Sequence, residues 1–62
     1  MQLSTLDRLK KALLDTQEQV RDFKNYANDI QDEEIKEFFQ SCAETEGIQA
    51  AKLQKFIEEN QA

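Results

Sequence analysis

Apolar side chains recur in the first half of the chain at alternating steps of three and four positions. This spacing places the side chains along one side of an α-helix, and it continues over more than three heptads, as in a helix that packs lengthwise against another. The positions in the series are Leu6, Leu9, Leu13, Thr16, Val20, Phe23, Ala27 and Ile30. Only Thr16 is polar. Ser4 and Asp7 have the spacing of a capping box, so we predict a first helix over about residues 5–28.

Short polar side chains interrupt this pattern near the middle of the chain. Asn28 and Asp29 compete with the helical backbone for hydrogen bonds, which favours a turn at about residues 29–31. Three acidic residues follow, and negative charge stabilises a helix N-terminus, so we predict a second helix over about residues 32–59. With one glycine and no proline, the chain offers few other breaks. The sequence therefore predicts a single all-α domain, residues 1–62, folded as an antiparallel two-helix hairpin.

The second half of the chain has two apolar strips side by side. One strip runs through Ile35, Phe39, Cys42, Glu46, Gln49, Leu53 and Phe56, and the other through Phe38, Ala43, Ala50 and Ile57. A helix that covers one neighbour needs only one strip, and so short a chain buries too little apolar surface to offset about 1–2 kcal/mol of backbone entropy per residue. We therefore predict a homodimeric four-helix bundle. Its core and dimer contacts are predicted to be Leu6, Leu9, Leu13, Val20, Phe23, Ile35, Phe38, Phe39, Cys42, Leu53, Phe56 and Ile57.

Charge is distributed unevenly between the two halves. The first 28 residues carry five basic and four acidic side chains, whereas the remaining 34 carry three basic and nine acidic ones. An antiparallel hairpin would bring Arg8 level with Glu58 and Lys24 level with Glu34, so we expect opposite charges to meet at both ends.

The net charge of −5 argues against nucleic acid binding, which needs clustered basic charge, and against binding to an anionic membrane. No apolar run is long enough to cross a bilayer.

Side chains that commonly carry catalysis are scarce. The chain has no histidine, no glycine-rich phosphate loop and no serine or cysteine placed beside a general base. We therefore predict that the protein is not an enzyme and uses no cofactor. The single cysteine, Cys42, lies among apolar residues, which favours a packing role over reactivity. One cysteine cannot form an internal disulfide, so we expect a reducing compartment and a cytoplasmic location.

Three polar side chains interrupt the apolar strips at nearly the same height. Glu46 and Gln49 belong to the second helix, and a hairpin that turns near residue 31 brings Thr16 level with them. A hydrogen-bonded polar layer of this kind fixes register and oligomeric state in helical bundles. Two other interpretations stay open: a metal site with Glu46 as a ligand, or a Glu46 side chain that reaches solvent at the edge of the bundle. Gly47 costs about 1 kcal/mol relative to alanine in a helix, which indicates close helix approach or a local irregularity.

Residues 39–57 contain, in order, an aromatic residue, a small residue, a glutamate and an apolar pair. In this order of residue types, the chain resembles a ferritin-like or rubrerythrin half-bundle over residues 23–57. That family has a histidine three positions after its glutamate. Glu46 matches the glutamate, Gln49 stands at the histidine position, and Thr16 falls near the position of the first-helix glutamate. The resemblance implies a ferritin-like four-helix bundle with an inherited polar layer, and no bound metal is expected.

These features favour a small non-catalytic interaction or scaffold protein that self-associates through its apolar faces. Two alternatives stay open. The first is a metal-binding or redox protein that uses Glu46 at the dimer core. The second is a regulatory hairpin that exchanges its own partner for a helix of another protein.

Overall fold

The computed structural model describes residues 4–61, which form two α-helices joined by three residues. Helix α1 spans Thr5–Asp29 and helix α2 spans Glu33–Gln61. The two helices pack against each other as a flat hairpin whose extents are 44 × 23 × 11 Å. The all-α helical hairpin expected from the sequence is confirmed, and the helix ends differ from the expected ones by no more than two residues.

Side-chain caps define where both helices begin. The Ser4 hydroxyl accepts a hydrogen bond from the Asp7 backbone N–H at 3.0 Å, and the Asp7 carboxylate accepts one from the Ser4 N–H at 3.3 Å. The capping box predicted from these two residues is therefore confirmed. The Asp32 carboxylate accepts from the Ile35 N–H at 3.0 Å and caps α2 in the same way. Each cap satisfies a donor that the helix itself leaves without a partner.

The cap of α1 supports a first prediction about stability. Ser4→Ala removes the acceptor for the Asp7 N–H, so we expect the free energy of unfolding to fall by about 1 kcal/mol. Ser41→Ala is the matched control, because Ser41 is exposed in the interior of α2, where alanine is the better helix former. Urea unfolding followed by circular dichroism measures both changes. Equal stability of the two variants would show that the cap contributes nothing.

The side of α1 that packs on α2 is the one predicted. Thr16 and Ala27 are buried, and the other six members of the apolar series are half-buried. The side of α2 that packs on α1 is displaced from the first of its two strips. Ala43 and Ile57 are buried and Ala50 is half-buried, whereas Ile35, Gln49 and Phe56 are exposed. Small side chains at 43 and 50 let the two helices approach closely, which favours the second strip at this contact.

The hairpin buries very little. Within residues 4–61, the buried apolar side chains are Ala27, Ala43 and Ile57, and no large side chain is fully buried. The accessible surface is 4970 Å², whereas a compact monomer of 7.3 kDa is expected to expose about 4,200 Å². The single hairpin therefore leaves several hundred Å² more surface in water than a compact domain of its mass.

Ion pairs in the described residues run along the helices and not between them. Lys11 pairs with Asp15 at 3.0 Å and Lys55 with Glu59 at 4.0 Å, each across one helical turn. The expected pairing of charges between the two helices was wrong for this part of the chain. Neighbours on one helix are held close by the backbone, whereas an exposed pair between helices contributes too little to hold two long side chains together.

Neither α1 nor α2 carries a stretch apolar enough to span a bilayer.

Candidate functional site

Four aromatic rings form a cluster beside the connection between the helices. The Phe39 ring stacks on Phe23 with 5.9 Å between centroids, and Tyr26 meets Phe39 edge to face at 5.6 Å. The Phe38 ring is tilted against Phe39 with 6.0 Å between centroids. Phe39 thus lies at the centre of the cluster and joins α1 to α2. Tyr26 and Phe38, at its borders, stay 48% and 63% exposed.

The exposed members of this cluster continue into an apolar surface along α2. Ile35, Cys42 and Phe56 are separated by multiples of seven residues, so they share one side of the helix, and Phe38 lies one turn from Ile35. Ile35 is 47% and Phe56 38% exposed, and Cys42 is half-buried. We call this surface the aromatic face; its residues are Tyr26, Ile35, Phe38, Cys42 and Phe56. It holds four of the six exposed large apolar side chains of the described residues.

The three polar positions predicted to form one layer are placed differently in the hairpin. Thr16 is buried, and its hydroxyl donates to the Ala12 carbonyl at 2.8 Å, so it needs no partner on α2. Glu46 is half-buried at the border of the α1–α2 contact. Gln49 is exposed and lies seven residues from Cys42 and from Phe56, which places it on the aromatic face. A layer containing all three residues would require a second copy of the chain, and it stays a prediction.

The chemical groups within residues 4–61 do not form a metal site in one hairpin. No three side chains of the His, Cys, Asp and Glu types come close enough together to hold an ion there. Cys42 is a free thiol. A site built on Glu46 would therefore need ligands from a second copy.

A groove lies on the opposite side of the hairpin from the aromatic face. Its volume is about 430 Å³, and it is lined by Val20, Lys24, Gln40, Ala43, Glu44 and Gly47. A Cβ atom added to Gly47 would meet nothing within 4 Å, so the hairpin does not use this glycine for close approach of α1 and α2. The helix also continues through Gly47 from Glu33 to Gln61. Neither explanation expected for Gly47 holds within the single hairpin.

Comparison of the chain with known protein families, with curated proteins and with solved structures finds no match. The candidate site therefore rests on the hairpin itself. Sequence reasoning missed Tyr26 as part of the aromatic face. Its signal is the spacing of three from Phe23, which widens the apolar side of α1 at its C-terminal end.

Proposed function

We propose that the protein is a non-catalytic interaction protein that self-associates through the aromatic face into a homodimeric four-helix bundle. One observation carries the proposal: among residues 4–61 no large side chain is fully buried, yet four large apolar residues are exposed on one side. Monomeric proteins rarely leave such a contiguous apolar surface in water. A second copy placed on this face would supply the core that one hairpin lacks.

The dimensions of the hairpin support a partner of the same shape. A surface of 44 by 23 Å has an area of about 1,000 Å², and a standard interface takes about 800 Å² from each partner. A single helix, about 10–12 Å across, would cover only about half of this width. A second hairpin covers all of it, so we favour self-association over capture of one helix from another protein.

The proposed bundle also gives the polar positions a common place. Thr16 and Glu46 lie at the helix contact and Gln49 on the aromatic face, so pairing two aromatic faces brings two copies of each residue toward the bundle centre. This arrangement is consistent with the ferritin-like resemblance, which we retain as part of the proposal. A reducing, cytoplasmic location suits the single free thiol of Cys42.

Sedimentation equilibrium tests the proposal at high ionic strength and micromolar protein concentration. We expect the wild type to have the mass of two chains. Phe38→Glu places a charge in the proposed contact, and we expect the dissociation constant of the dimer to rise at least about 100-fold. Ile48→Glu is the matched control, because Ile48 is 73% exposed and lies six residues from Cys42, away from the aromatic face.

Three results would contradict the proposal. A wild type with the mass of one chain would exclude the dimer. Equal effects of Phe38→Glu and Ile48→Glu would show that the contact lies elsewhere. A wild-type monomer that forms a stable complex with an isolated amphipathic helix would favour the regulatory hairpin instead.

A further inference from the structure

The side of the hairpin that contains the groove carries charges without partners. Lys24 and Glu44 line the groove from α1 and α2 respectively. Arg21 lies one turn before Lys24, and Glu37 lies two turns before Glu44 on the same side of α2. None of these four side chains forms an ion pair within residues 4–61. We call this surface the groove face; it consists of Leu14, Arg21, Lys24, Glu37, Glu44, Gly47 and Ala51.

We propose that the groove face is a second self-association surface, which binds the groove face of another copy of this chain. The proposal goes beyond the dimer formed by the aromatic face and does not depend on it. Its first support is charge complementarity. The α1 edge of the groove face carries the basic residues Arg21 and Lys24, and the α2 edge beside them carries the acidic residues Glu37 and Glu44. A two-fold axis parallel to the helices places the basic edge of each copy over the acidic edge of the other.

The register of the hairpin determines which residues meet. Val20 and Ala43 line the same groove, and Phe23 stacks on Phe39. Along the helix axes, Val20 is therefore level with Ala43, and Phe23 is level with Phe39. Arg21 is then level with Cys42, because one residue forward on α1 corresponds to one residue back on the antiparallel α2. Since rotation about an axis parallel to the helices preserves height, Arg21 comes within about 3 Å, along the axis, of Glu44 in the second copy. The contact is formed twice because the axis relates the two copies.

The same register gives one explanation for the exposure of Leu14 and for the open space at Gly47. Leu14 is 66% exposed and has no place in the hairpin contact. Six positions before Val20, it is level with residue 49, which lies between Gly47 and Ala51 in height. Gly47 leaves open space where a Cβ atom would stand, and Ala51 has only a methyl group. In the proposed contact, Leu14 of one copy fills the space above Gly47 and Ala51 of the other.

Two self-association surfaces on opposite sides of a flat hairpin have a consequence for assembly. A hairpin paired through its aromatic face still presents its groove face, so further copies can add on both sides of the dimer. The groove contact is polar at its edges and should depend on salt, whereas the aromatic contact should not. We expect assemblies larger than two chains at low salt, and two chains at about 1 M salt, where the Debye length is about 3 Å.

Charge reversal with mixing tests the proposed contact. At low salt, we expect Arg21→Glu alone and Glu44→Lys alone to reduce the assembly to two chains, since each creates like-charge contacts. An equal mixture of the two variants restores opposite charges at both contacts, so the mass should again exceed two chains. Glu18→Lys is the matched control for Glu44→Lys, because it makes the same change of charge at an exposed position away from both faces. Analytical ultracentrifugation measures the masses.

A second pair of variants separates this proposal from the aromatic dimer. Gly47→Leu fills the space that Leu14 needs, yet it fits the single hairpin, so we expect a higher melting temperature together with assembly limited to two chains. Phe38→Glu should leave a two-chain species at low salt, held by the groove face alone; Ile35→Ser serves if Phe38→Glu does not fold. For a wild type that has two chains at about 1 M salt, an unchanged mass at low salt would overturn the proposal, and for a wild type that is a monomer at about 1 M salt, a monomer at low salt would overturn it. Failure of mixing to restore the larger assembly would do so too.

Discussion

Phe39→Ala is expected to remove most of the stability of the protein. Phe39 contacts Phe23 and Tyr26 on α1 and Phe38 on α2, so its ring is the main aromatic link between the helices. Truncating a core phenylalanine costs about 3–5 kcal/mol, so for the half-buried Phe39 we expect a loss near the lower end of this range, with about 0.5–1.5 kcal/mol more for each aromatic pair. A chain of 62 residues has a total stability of about 3–9 kcal/mol. We therefore expect a partly or wholly unfolded protein at room temperature.

Thermal and urea unfolding at one fixed protein concentration measure this effect, because assembly contributes to apparent stability. Ile48→Ala is the matched control. Ile48 is 73% exposed, so its truncation should change the free energy of unfolding by less than about 0.5 kcal/mol. An unchanged melting temperature for Phe39→Ala would mean that the aromatic cluster does not join the two helices.

Thr16→Glu combined with Gln49→His is expected to create a di-metal site, whereas we expect the wild type to bind no stoichiometric metal. In the proposed dimer, each chain of this double variant would contribute two carboxylates, from position 16 and from Glu46, and one imidazole, from position 49. Two chains then offer the four carboxylates and two imidazoles of a di-metal site in a four-helix bundle. Binding to the folded state alone adds stability, by about 2.7 kcal/mol when free metal exceeds its dissociation constant 100-fold. This result would support the ferritin-like arrangement.

Calorimetric titration with zinc and manganese, and thermal unfolding with and without each ion, measure the gain. Thr16→Glu with Gln40→His is the matched control, because Gln40 lines the groove on the other side of the hairpin. Stoichiometric binding by the wild type would favour the metal-binding alternative based on Glu46. A double variant that is folded and dimeric but binds neither ion would show that positions 16, 46 and 49 do not converge.

The sequence predicts the packed side of a helix best where the helix has a single apolar strip. On α1, all eight members of the series are buried or half-buried, because no second strip competes with it. The cap at Ser4 was equally predictable, since it depends only on side chains three residues apart. Both features are local or strictly periodic, and tertiary contacts do not alter them.

The sequence was ambiguous on α2, where two strips compete for one neighbour. Periodicity gives the strip through Cys42, Gln49 and Phe56 the same angular spacing as the strip through Ala43 and Ile57. The choice between them depends on how closely α1 can approach, which is a property of the assembled pair. The rotation of α2 against α1 therefore divides both strips: Phe39 contacts α1, whereas Ile35, Phe38 and Phe56 stay exposed and form part of the aromatic face. The sequence could predict that Thr16 and Glu46 lie level along the helix axes, but it could not predict that Gln49 is exposed.

The three-residue connection also favours helix pairing that starts beside it. Because the aromatic cluster lies within two helical turns of the connection on either side, its contacts close only a short loop and cost little chain entropy. Helix pairing can start there and extend toward the open end, where Ser4 and Gln61 lie, without any step that depends on a second molecule. We expect the helices to begin pairing within one chain, whereas association with a second copy supplies the apolar burial that one hairpin lacks.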